Sequence, residues 1–65
     1  RKEAITIYEK LVKLDGKDKE AQRNLGRELE ADGRKEEAVF AYKALLKLQP
    51  ADADALAAIQ RLSGK

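Results

Sequence analysis

Displaced by 34 residues, the chain matches itself. Glu3, Ala4, Tyr8, Leu11, Lys13, Leu14, Asp18, Ala21 and Arg27 fall on Glu37, Ala38, Tyr42, Leu45, Lys47, Leu48, Asp52, Ala55 and Arg61. Ile5 falls on Val39, Val12 on Leu46, Glu20 on Asp54 and Leu25 on Ile59. A fixed period of about 20 to 50 residues marks a stacked repeat, in which one unit cannot bury its apolar face without its neighbours. This restricts the chain to a modular array and points away from a fold built around one central core.

The segments within each period are helical. Ala4, Ile5, Tyr8, Leu11, Val12 and Leu14 recur at the spacing of one helical stripe. Asp15-Gly16 stops that helix, and glycine suits the left-handed backbone that commonly follows a helix end. Asp18 fits the N-cap of a second helix, whose stripe is Ala21, Leu25 and Leu29. Gly26 lies in the middle of it, where glycine costs about 1 kcal/mol relative to alanine, so a close helix crossing is expected there. Asp32-Gly33 closes the second helix. A third opens near Arg34 or Lys35, with Glu36 and Glu37 where the helix dipole favours negative charge. Its stripe is Ala38, Val39, Tyr42, Leu45, Leu46 and Leu48, and Gln49-Pro50 ends it. Asp52 caps a fourth helix with Ala55, Leu56, Ile59 and Leu62 as its apolar face. Connections of a few residues make successive helices antiparallel neighbours.

Size and composition narrow the chemistry. At 65 residues the chain is a single domain, and it has no Cys, His, Met or Trp. No disulfide, thiolate metal site or His-based nucleophile pair can be built, and no metal or cofactor is expected. Paired catalytic carboxylates need a concave, water-excluding site that a helical hairpin of this size does not offer, so the chain does not read as an enzyme. The net charge of +2 comes from 14 basic and 12 acidic residues interspersed along the sequence. Nucleic-acid binders usually concentrate basic residues on one face, and that is not the pattern here. No run approaches the roughly 20 apolar residues of a membrane span. The chain begins at Arg1 without a leader sequence and is expected to be a piece of a longer protein.

Asn24-Leu25-Gly26, followed by Leu29, Gly33, Ala38, Tyr42, Leu48 and Pro50, resembles the tetratricopeptide repeat, in spacing as well as residue type. The resemblance implies an all-α fold of four helices, antiparallel hairpins stacked as a right-handed α-solenoid of about two repeat units. Residues 1–15 resemble the second helix of one repeat, 19–52 a complete repeat, and 53–63 the first helix of the next repeat or a cap. Gln60 stands where the family has glycine, which favours the cap. The sibling pentatricopeptide family shares the turn from Gly33 to Ala38 and would imply single-stranded RNA binding. The 34-residue spacing and Pro50 favour the tetratricopeptide family.

The resemblance also implies a function, the capture of a peptide segment of a protein partner on a concave groove, in a scaffold or adaptor role. Glu20, Arg23, Asn24, Arg27 and Glu30 would face that groove, with Asp54, Ala57, Ala58 and Arg61 extending it from the fourth helix. Positions 20, 23, 24, 27 and 30 independently form a helical stripe, offset from the apolar one. The Asn24 amide can donate to and accept from a peptide backbone. Arg23 and Arg27 can present forked donors to an acidic partner. On one helix, however, Glu20–Arg23 and Arg27–Glu30 spacings also allow local neutralisation. Phe40 falls off the stripe of the third helix and marks a candidate contact on the convex face, to a partner or a second copy. The alternative to peptide capture is a structural spacer or cap, or a weakly self-associating unit with no ligand of its own.

Overall fold

The computed structural model describes residues 2–64 as four helices: α1 (Lys2–Leu14), α2 (Lys19–Ala31), α3 (Lys35–Leu48) and α4 (Ala53–Ser63). Each packs on its predecessor, α1 on α2, α2 on α3 and α3 on α4. This is the hairpin stack expected from the repeat.

The caps form where the sequence places them. The Asp18 Oδ1 accepts from the Ala21 amide at 3.0 Å, and the Asp52 Oδ1 from the Ala55 amide at 2.9 Å. The second helix ends in a paired motif at its C-terminus. The Arg34 amide reaches back to Leu29 O at 2.9 Å and the Gly33 amide to Glu30 O at 3.0 Å. Gly33, at φ 79°, supplies the left-handed residue that this ending requires.

Gly16 does not behave the same way. Its φ is not positive, and the expected glycine-type ending of α1 is absent. The Asp15 side chain accepts from the Lys17 amide at 3.0 Å, and the Asp18 amide donates to Asp15 O at 3.1 Å. The chain turns through the aspartate instead.

Ile5, Leu25, Leu29, Ala38, Ala41, Tyr42, Leu45, Ala55 and Ala58 form one buried cluster, flanked by Tyr8, Val12, Leu46, Ile59 and Leu62. Gly26 is its point of closest approach. A β-carbon there would lie 2.9 Å from the Tyr42 ring, so the aromatic from α3 lies flat against the bare backbone of α2. Three expected core positions are corrected. Leu14, the last residue of α1, is 84% exposed. Leu11 is 39% exposed. Leu56 is 50% exposed because α4 packs through Ala55 and Ala58, with Ile59 and Leu62 beside them, one helical position round from the expected face. Ala41 and Ala58 are buried in their place.

Candidate functional site

The predicted groove residues divide into two ion-paired walls and an open face. Arg23 crosses from α2 to the start of α4. Its Nη2 donates to Asp52 Oδ2 at 2.6 Å, and its Nε lies 3.7 Å from Asp54 Oδ2. That Nε is buried and has no hydrogen-bond partner among the described residues. Asp52 also accepts from Gln49 Nε2 at 3.2 Å, and Gln49 in turn accepts from Lys19 Nζ at 3.1 Å. Asp52 is only 3% exposed. The Ala55 amide first, and then the Arg23 guanidinium, hold its carboxyl below the usual range.

The second wall lies one helical turn past Arg27. Arg61 on α4 grips Glu30 on α2 with both forks, through Nη2 at 2.7 Å and Nε at 3.1 Å. The Tyr42 hydroxyl approaches the same carboxylate at 3.5 Å. Burial first, and then the Glu30 charge, push the Tyr42 phenol above its ordinary value.

These pairs replace the expected local neutralisation. Neither Glu20–Arg23 nor Arg27–Glu30 forms an ion pair. The partners lie across the interface between α2 and the start or body of α4, 29 and 31 residues apart in sequence. A guanidinium directed across the helix interface meets a fixed, partly dehydrated carboxylate, whereas a neighbour on its own helix would leave both groups in water.

Between the walls is a cleft of about 620 Å³. Tyr42 and Ala58 form its floor, Arg27 and Ala31 line it from α2, and Asp54 and Ala57 from α4. Glu30 and Arg61 close one end. Glu20, Arg23 and Asn24 lie outside this lining. The Arg23 guanidinium is engaged at the start of α4, and the half-buried Asn24 makes no side-chain hydrogen bond among the described residues. Arg27 is exposed and has no ion-pair partner among them. Ala31 and Tyr42 were not among the expected lining residues. Tyr42 was legible only as core, and its hydroxyl edge reaches the cleft because Gly26 lets the ring slide beneath α2.

Phe40 lies on another face. It is 77% exposed on α3, beside a narrower groove between α1 and α3. No group of three or more metal-ligating side chains occurs among the described residues, and no helix there is long and apolar enough to cross a membrane.

Residues 19–52, about half of the chain, match the family model described as tetratricopeptide repeat. No curated protein and no solved structure matches the chain.

Proposed function

We propose that this chain, which belongs to the tetratricopeptide repeat family, holds a peptide segment of a protein partner in the cleft between α2 and α4. The family generally mediates protein–protein interactions and is typically a non-catalytic scaffold. The observation that carries the proposal is the state of the cleft. Its walls are held by cross-helix ion pairs, while the hydrogen-bonding and charged groups between and beside them are unengaged. The Asn24 amide is available to a peptide main chain. Arg27 is the one cleft charge without an ion-pair partner among the described residues, and it gives the cleft a preference for acidic segments. Glu20 sets the outer edge of that preference. Arg23, Glu30 and Arg61 act mainly by fixing the distance between α2 and α4. Such a small groove suits micromolar affinity, about −8 kcal/mol.

An amide chemical-shift titration with an acidic and a basic peptide pool tests this reading. Shifts at Asn24, Arg27 and Ala57 with the acidic pool alone are expected, and Arg27→Glu should weaken that binding about tenfold. If α2 and α4 stay unperturbed by both pools, the cleft is not a peptide site.

A further inference from the structure

We propose that the groove between α1 and α3 is a self-complementary surface through which two copies of this chain pair. The groove encloses about 250 Å³ and is lined by Val12, Leu25, Leu29, Ala41 and Ala44, with Phe40 at its edge. An apolar depression and a 77% exposed aromatic thus lie side by side on one face. A two-fold axis between two such faces places Phe40 of each copy in the groove of the other, the arrangement an isologous interface requires. A buried aromatic anchor of this kind carries a large share of the binding energy in small interfaces.

The charges around the groove fit the same geometry. Glu9 lines it from α1, is exposed, and has no ion-pair partner among the described residues. Lys43 follows Phe40 by one helical turn, is also exposed, and is likewise without a partner there. When Phe40 enters the opposite groove, Lys43 is carried toward Glu9 of the second copy. Glu37, the other acidic lining residue, is already held by Arg34 at 2.7 Å and 2.9 Å and is not offered to a second chain.

Head-to-tail stacking of copies, with α4 of one against α1 of the next, is the competing mode and would cover the exposed Ile7, Leu11 and Leu56. The repeat register argues against it. A 34-residue shift maps Tyr8 onto Tyr42 and Gln60 onto Gly26. In the observed pair a β-carbon at position 26 would already lie 2.9 Å from the ring. Gln60 would bring a full side chain to that point against Tyr8.

The area is small, so the pair should be weak, with a dissociation constant of about 0.1 to 1 mM. Sedimentation equilibrium and amide shifts on the whole chain, from about 10 µM to about 2 mM, test it. The expected result is a rise in mass with concentration, accompanied by shifts at Phe40, Ala44, Val12 and Glu9. Phe40→Ala, at an exposed position, should keep the helical circular dichroism and raise the dissociation constant at least tenfold. Lys43→Glu should raise it about threefold, and Glu9→Lys in that background should restore it. Constant mass and shifts across the range would overturn the proposal. So would association that survives Phe40→Ala, or shifts centred on Ile7, Leu11 and Leu56. Peptide binding in the cleft between α2 and α4 uses the other face and should be unchanged in Phe40→Ala.

Discussion

The chain turns the same corner twice, at residues 15–18 and 49–52, and the two corners share a backbone but not an environment. At the first, the Asp15 amide bonds Leu11 O at 2.9 Å and the Asp18 amide bonds Asp15 O at 3.1 Å. At the second, the Gln49 amide bonds Leu45 O at 2.9 Å and the Asp52 amide bonds Gln49 O at 3.0 Å. Each ends in an aspartate that caps the next helix. Asp18 makes that cap bond and no other side-chain bond among the described residues, while Asp52 also takes Arg23 and Gln49 and is almost wholly buried. The difference comes from the neighbouring helix. Arg23 on α2 reaches the corner between α3 and α4, and no described residue reaches Asp18 in the same way. One residue type at one repeat position is therefore a simple cap at the first corner and the centre of a polar network at the second.

The largest expected effect follows directly. Asp52→Ala removes a cap and strands a half-buried guanidinium, and should cost about 2 to 3 kcal/mol in urea unfolding. Asp18→Ala removes only a cap and should cost about 1 kcal/mol. Equal losses would mean that Arg23 contributes nothing at the second corner.

Arg23→Met, which keeps the packing stem and deletes the charge, should cost about 1 to 2 kcal/mol. In a double-mutant cycle with Asp52→Ala the two losses should fall short of additive by about 1 kcal/mol. Strict additivity would show that the 2.6 Å contact is energetically idle.

Proton uptake separates the corners further. Because the folded Asp52 carboxyl titrates below its ordinary value, the unfolded chain takes the proton more readily. The stabilisation is fully present above the ordinary aspartate value of about 3.9 and is lost as pH falls through the lowered folded value. Asp52→Asn retains a capping oxygen but has no such limb. The stability gap between wild type and this variant should therefore stay constant from pH 7 down to about pH 5 and narrow progressively as pH falls below about 4, and a gap independent of pH would refute the assignment.

Much of the fold was readable from the one-dimensional pattern. The caps at Asp18 and Asp52, the contact at Gly26 and the exposed Phe40 are local or periodic signals, and the structure carries all four. The ion pairs were not readable. Arg23 and Glu30 each have an opposite charge three residues away on α2, which the sequence favours, and another across the helix interface, which only the packing favours. Leu14 and Leu56 failed for a related reason. Periodicity tells which residues share a stripe, but it does not tell where the neighbouring helix ends or which edge of the stripe it covers.

The two Asp-Gly pairs show the same limit and lead to the smallest predicted effect. Asp32-Gly33 and Asp15-Gly16 are identical as dipeptides, yet only Gly33 has a positive φ. The repeat register held the distinguishing signal, since Gly16 aligns with Pro50, and proline requires a negative φ. The matching amide bonds at the two corners indicate that the slot of Gly16 accepts proline as well. Nor does the Gly16 amide donate a backbone bond among the described residues that proline would remove. Gly16→Pro should therefore raise stability by about 0.5 to 1 kcal/mol, mostly by narrowing the unfolded ensemble. Gly33→Pro, forced out of its φ of 79°, should lose more than that. If Gly16→Pro destabilises the chain, the first corner does not share the backbone of the second, and the contrast between Asp18 and Asp52 would owe something to the turn as well as to the reach of Arg23.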